Sequence, residues 1–193
     1  MGQAKILAFA GSTRGGSFNQ LLVDEASRLA KEAGASVTDL KLADYPLPLF
    51  CQDLEANEGT PENALALKKI FIEHDALLIA CPEYNSSITP LLKNTIDWLS
   101  RPGEGEPMLA AYQGKTAALL AASPGGFGGL RGLRHVREIL SNISVLVTPN
   151  QFALAKAHES FDDSGQLSDE SQLGRLKGCV DQFLAIANGL AGN

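Results

Sequence analysis

Apolar positions along this chain change period repeatedly, from runs that suit a strand to stripes that suit a helix. Lys5–Ala10 is a short apolar run and reads as a strand. Leu22, Ala26, Leu29, Ala30 and Ala33 then fall on one helical face, and Gly34 supplies the stop. Ser36–Leu42 is the second strand pattern, with Val37, Leu40 and Leu42 as its apolar content. Thr60-Pro61 suggests a cap followed by proline at the first helical position, and Leu67, Ile70, Phe71 and His74 form the next stripe. Ala76–Cys81 is apolar throughout, the mark of a strand buried on both faces. Thr89-Pro90 opens another helix, with Leu92, Ile96 and Leu99 on one face. Lys115–Ala122 is a fourth strand, Leu130–Leu140 a helix, and Val145–Val147 the start of a fifth strand. Leu176, Val180, Phe183, Leu184 and Ala187 give the closing helix its core face.

Strands that alternate with helices predict a parallel sheet covered by helices on both sides. Five such units in 193 residues predict one α/β domain, residues 1–193, with the flavodoxin-like strand order 2-1-3-4-5. Ligands of such sheets lie at the carboxyl edge of the strands. The longest irregular stretch, Ala43–Gly59, either walls a pocket or caps the sheet edge.

The first strand runs into Gly11-Ser12-Thr13-Arg14-Gly15-Gly16-Ser17-Phe18-Asn19, and a helix follows. Unpaired N–H groups and the positive end of the helix dipole make such a junction an anion site. Ser12, Thr13 and Ser17 add hydroxyls, Asn19 an amide, and Arg14 a fork that grips phosphate through two hydrogen bonds. Gly11 and Gly16 have the spacing of a P-loop, but Ser17 and Phe18 stand where that loop needs lysine and a hydroxyl residue. Thr13 stands where the dinucleotide fingerprint needs its second glycine. What remains suits a terminal monophosphate.

In the expected topology the loops after strands one, three and four meet above the sheet. Pro82-Glu83-Tyr84-Asn85-Ser86-Ser87 follows the third strand and Ser123-Pro124-Gly125-Gly126-Phe127-Gly128-Gly129 the fourth. Tyr84 can pack on a ring, and Asn85 can read a pyrimidine-like edge with a donor and an acceptor. Glycines let the backbone approach without a Cβ. This set suits a flat heteroaromatic ring better than a sugar.

Composition removes several classes. A net charge of −6 argues against non-specific nucleic-acid binding. No apolar run approaches the ~18 residues of a membrane span, and the N-terminal run is too short for a signal-peptide core. The three cysteines, Cys51, Cys81 and Cys179, form no metal or redox motif, which points to a reducing cytoplasm. His74, His135 and His158 lack ligand spacing, so no metal is expected. Ala122-Ser123-Pro124-Gly125 has a hydrolase flavour, but Pro124 has no N–H for an oxyanion hole.

The first loop, together with Pro-Glu-Tyr-Asn-Ser-Ser-Ile-Thr-Pro-Leu-Leu-Lys-Asn-Thr-Ile-Asp-Trp-Leu-Ser-Arg (82–101), resembles the NADPH-dependent FMN reductase family. This is the flavodoxin-like group of quinone, chromate and azo-dye reductases. The similarity runs from the first strand to the turn Phe161-Asp162-Asp163-Ser164-Gly165, and Glu83-Tyr84-Asn85 with Lys93-Asn94 and Asp97-Trp98 is its specific part. The resemblance implies that Ser12, Arg14, Ser17, Phe18 and Asn19 hold the FMN phosphate. It places Pro82, Glu83, Tyr84 and Asn85 along the isoalloxazine, with Ser123 and Gly126 closing the site. It implies electron transfer from NADPH or NADH through FMN to a small-molecule acceptor, in two half-reactions that share one slot. No side chain is required as a nucleophile, and none is named as catalytic. A homodimer or homotetramer is implied as well. Ser86 stands where many members have an aromatic residue, and Thr89-Pro90 where Pro-Gly is expected. Both departures flank the expected substrate pocket.

Arg131, Arg134, His135 and Arg137 cluster on the helix after the glycine loop. Arg131 and Arg134 can share a face; they either bind the 2′-phosphate of NADPH or form a solvated or intersubunit surface. Lys93 and Asp97 are spaced for a surface pair, and Trp98 suits either a subunit interface or the core. Two rivals remain. One is a flavodoxin-type electron carrier, against which Arg14 and the basic helix argue; the other is a flavin-binding protein without turnover.

Overall fold

The sheet is built from β1 (Lys5–Ala10), β2 (Ser36–Leu40), β3 (Ala76–Ala80), β6 (Thr116–Ala122) and β7 (Leu146–Leu154), with a small hairpin, β4 (Glu83–Tyr84) and β5 (Ser87–Ile88), inserted after β3. A computed structural model describes residues 2–103 and 105–191. All five sheet strands are parallel, in the order β2-β1-β3-β6-β7. With the hairpin set aside, this is the flavodoxin-like order expected from the alternation of patterns.

The period of two in the central strands divides the core. Ile6, Ala8, Leu78, Ala118 and Leu120 face α1 (Phe18–Glu32) and α6 (Glu170–Leu190). Leu7, Phe9, Leu77, Ile79 and Leu119 face α3 (Glu62–Ile72), α4 (Pro90–Leu99) and α5 (Leu130–Asn142). Neighbouring strands are in register, Leu7 beside Leu77 and Leu77 beside Ala117, so each face is continuous across the sheet.

Several boundaries differ from the sequence reading. β2 ends at Leu40, because Leu42–Asp44 closes into a single 3₁₀ turn that buries Leu42. Pro61, expected inside α3, is its cap, with extended ψ of 144°. β7 runs on to Leu154 through Pro149; its edge position spares Pro149 a ladder hydrogen bond, and the register shifts there. His74 follows the end of α3, where Nδ1 donates to Ile70 O (2.6 Å) and Nε2 accepts from Thr38 Oγ1 (2.8 Å). The carbonyl can only accept, which fixes this tautomer.

The stretch Ala43–Gly59 is not irregular throughout: it contains α2 (Gln52–Glu58). It is clamped to α4. Pro48 O accepts from Trp98 Nε1 (2.8 Å) and Asn94 Nδ2 (2.9 Å), Asn94 Oδ1 accepts from Phe50 N (2.7 Å), and the Phe50 ring meets Trp98 edge-on at 5.0 Å. Trp98 is 1% exposed, so its place is the subunit core and not an interface between subunits. Lys93 and Asp97 form the expected surface ion pair at 2.6 Å.

Candidate functional site

The carboxyl edge gathers three loops. The first crosses from β1 into α1. Gly11 N donates to Ala80 O, and Thr89 Oγ1 donates to Gly11 O (2.9 Å) while accepting from Leu92 N, so the cap of α4 also anchors this loop. Gly11 packs on Leu92, where a Cβ would come within 3.1 Å of its neighbour. Ser17 caps α1 by accepting from Gln20 N. Arg14 turns its guanidinium onto the loop itself, donating to Gly15 O (3.2 Å) and Gly16 O (2.8 Å), with Phe18 beneath it at 5.6 Å. No described residue accepts from the backbone N–H groups of Gly15, Gly16, Ser17, Phe18 or Asn19. These are the free donors an anion needs at a helix start.

The Asn19 side chain also has a structural task. Its Nδ2 donates to Ala122 O (2.8 Å) and its Oδ1 accepts from Ala122 N (3.0 Å), all buried. The side chain pins the end of β6 to α1. It shapes the wall below the first loop, with its oxygen and one N–H already engaged.

The second loop is the β4–β5 hairpin. Asn85 and Ser86 both have positive φ, 50° and 67°, the pattern of the tight turn that suits a two-residue hairpin. Asparagine tolerates this conformation, whereas serine carries strain in it. Tyr84 stands at the base of the turn, 55% exposed. Glu83 points the other way. Its Oε2 accepts from Gly132 N (3.0 Å), and its Oε1 accepts from Arg131 at 2.9–3.0 Å. The cap residue of α5 is Gly129, which has no side chain to cap with, so Glu83 supplies a carboxylate to the helix N-terminus from another element. Gly132 allows a close approach there: a Cβ would lie 3.2 Å from Ser87 O and 3.3 Å from Glu83 Cβ, so the hairpin would have to give by a few tenths of an ångström. His135 Nδ1 adds a contact of 2.9 Å to Ser87 Oγ.

The third loop, Ser123–Gly129, folds back on β7 and the turn after it: Ser123 N donates to Leu154 O and Lys156 N donates to Gly125 O. Gly128, at φ 60°, sits against the Leu154–Ala155 backbone, where a Cβ would come within 2.6 Å. Phe127 is exposed and carries Arg131 over its ring at 5.2 Å.

One cleft of about 340 Å³ joins the three loops. Ser12, Arg14, Ser17, Phe18, Asn19, Pro82, Glu83, Tyr84 and Ser123 line it, with Ala122 and Pro124. Asn85 and Gly126, also expected at the site, lie outside this lining, on the exposed hairpin tip and in the glycine loop. Arg131 and Arg134 lie outside it too. Arg131 is committed to Glu83, while Arg134 is exposed and makes no ion pair with a described residue. A second cleft of about 260 Å³ opens on the β2 side of the first loop. The sequence reading missed Thr89 as the tie to Gly11, and the cross-element capping by Glu83. The uncapped Gly128-Gly129 start of α5 was the available signal for the latter.

The pattern of the family described as NADPH-dependent FMN reductase matches residues 4–159. The chain belongs to that family. It is 36% identical over 195 residues to an NAD(P)H:quinone oxidoreductase of Solanum tuberosum, covering 97% of this chain and 95% of the relative. It is 38% identical over 168 residues to an NAD(P)H-dependent FMN reductase of Pseudomonas aeruginosa, covering 86% and 85%. Among solved structures, the flavoenzyme NAD(P)H:(acceptor) oxidoreductase FerB of Paracoccus denitrificans superposes with a TM-score of 0.81 at 29% identity, covering 96% of this chain and 98% of that one. As a member of the FMN reductase family, the chain is an NAD(P)H-dependent oxidoreductase that works through FMN.

Proposed function

We propose that the 340 Å³ cleft seats FMN and that the enzyme passes electrons from NAD(P)H to a quinone or another small acceptor, free flavin, chromate and azo compounds included. The observation that carries this reading is the convergence of three loops on one cleft, lined both by Ser17, Phe18 and Asn19, whose N–H groups are unpaired, and by the exposed Tyr84.

The residues present fit the group. The unpaired N–H groups of Ser17, Phe18 and Asn19, with the hydroxyls of Ser12 and Ser17, belong to residues that line this cleft and are suited to a phosphate. Pro82 and Tyr84 provide flat apolar surface for a ring, and Ser123 lines the cleft from the third loop; Asn85, at the hairpin tip outside the lining, offers both donor and acceptor, and Gly126 belongs to the glycine loop next to Ser123. Phe18 packs under Arg14 and holds its guanidinium over the loop. Glu83 fixes the hairpin on α5. When bound, FMN supplies two-electron redox chemistry between the nicotinamide and the acceptor. The protein orients the partners; no side chain is assigned as acid, base or nucleophile.

Donor and acceptor use the same open side of the cleft in turn. Arg134, free on the exposed face of α5, is the residue we assign to the 2′-phosphate of NADPH, with Arg131 as the brace behind it. Tyr84, Phe127 and Leu130 leave an exposed apolar rim suited to a second copy of the chain, and a homodimer or homotetramer in the cytoplasm fits this surface. No described helix is long and apolar enough to cross a membrane. Initial rates at varied NADPH and quinone test the shared slot: parallel lines support it, and intersecting lines overturn it.

A further inference from the structure

The cleft on the β2 side of the first loop has a feature the flavin reading does not absorb. It is walled by Ser12, Thr13, Arg14 and the glycines of the loop on one side, and by Lys41 and Ala43 on the other. Lys41 follows directly on β2, whose Leu40 pairs with Phe9 of β1. The parallel pairing therefore delivers Lys41 to the same sheet edge as the loop that leaves β1. Ser12, Arg14 and Ser17 line both clefts, so an anion resting on the loop at these residues faces the two together.

Arg14 and Lys41 are the cations lining the β2-side cleft, and they differ in state. Two guanidinium nitrogens of Arg14 are already bonded to Gly15 O and Gly16 O. Lys41 makes no side-chain hydrogen bond or ion pair with any described residue. Gln20, which also lines this cleft, donates its Nε2 to Asp24 (2.7 Å), and Asp44 forms no ion pair with Lys41. A phosphate monoester carries about −1.5 to −2 charge at neutral pH. In a chain of net charge −6, such a ligand needs local positive charge to be drawn in.

Resting on the flavin reading above, we infer that Lys41 is a further phosphate-binding residue: it closes the FMN phosphate site from the β2 side and makes the site selective for a phosphorylated flavin over riboflavin. Thr13 lines this cleft and not the other.

The test compares the dissociation constants of FMN and riboflavin, read from flavin fluorescence, at low and high salt. The proteins are the wild type, K41Q, K41R and, as a charge control, K69Q on the exposed surface of α3. K41Q is expected to weaken FMN about three- to ten-fold at low salt, with a smaller loss at high salt and riboflavin unchanged. K41R restores FMN binding, and K69Q leaves it as in the wild type. FMN binding to K41Q that equals the wild type overturns the inference, as does an equal loss for FMN and riboflavin or an equal loss in K69Q. A wild type that binds neither flavin overturns the underlying flavin reading first, and this inference with it.

Discussion

Glu83 and Arg131 are joined across two elements: the carboxylate at the base of the β4–β5 hairpin holds the guanidinium in the first turn of α5 at 2.9–3.0 Å, and its second oxygen accepts from Gly132 N. The hairpin that borders the cleft is thus fixed to a helix it does not adjoin in sequence.

Cutting this link by Glu83→Ala leaves Gly132 N unpaired at a half-buried helix start. We expect a loss of about 1–2 kcal/mol and a fall in Tm of roughly 2–8 °C in flavin-free protein. Arg131→Ala, which keeps the cap, has a smaller effect. Thermal unfolding followed by circular dichroism measures both; an unchanged Glu83→Ala midpoint contradicts the bracing role.

The same link separates the two arginines by function. Arg134→Ala is expected to raise the KM for NADPH about three- to ten-fold while leaving that for NADH in place, since only the former has a 2′-phosphate to lose. Arg131→Ala is expected to keep the ratio of the two. A ratio moved by Arg131→Ala and untouched by Arg134→Ala reverses the assignment.

Asn19→Ala removes both partners of the Ala122 backbone, each buried. The expected cost is about 2–4 kcal/mol, and it appears without any flavin present. A purely ligand-binding Asn19 would instead leave urea unfolding of the flavin-free protein unchanged and weaken FMN alone.

Glu106 provides a pH test away from the site. The Lys68 ammonium beside it holds its carboxyl below the usual range. A carboxyl depressed in the folded state is protonated less readily there than in the unfolded chain. Its contribution to stability is therefore present above the unfolded value near 4.5 and is lost as pH falls through the lower folded value. The gap in urea midpoint between wild type and Glu106→Gln is expected to narrow from pH 7 to pH 3. A gap that stays constant contradicts the pairing.

Burial pushes the Cys179 thiol up to about 11 and the Cys81 thiol higher still, while Cys51 is exposed. A thiolate-selective reagent near pH 8 is expected to label Cys51 alone, and Cys51→Ser to abolish native labelling. Rapid labelling of Cys179 in the folded protein contradicts its burial.

The sheet was legible because the central strands carry apolar residues on both faces, a pattern that only a doubly covered parallel sheet explains. The first loop was legible because hydroxyls, glycines and Arg14 sit between a strand and a helix pattern. Contacts between distant elements were less visible. The sequence shows the polar side chains of Asn19 and Arg131 but not their partners, Ala122 and Glu83, which lie on distant elements. Trp98 was ambiguous because its indole partner is Pro48 O, a backbone atom that no side-chain pattern announces. α2 was hidden inside a stretch whose prolines, Pro46 and Pro48, suggested a loop throughout; the helix starts only after both.

The central claim is that this cleft binds FMN and that NAD(P)H reduces it. The most direct measurement is the visible spectrum of the purified protein reconstituted with FMN, recorded without oxygen before and after NADPH is added. The expected result is a bound-flavin spectrum that bleaches on addition and returns with quinone. A protein that binds no flavin, or bound flavin that NADPH leaves oxidised, contradicts it.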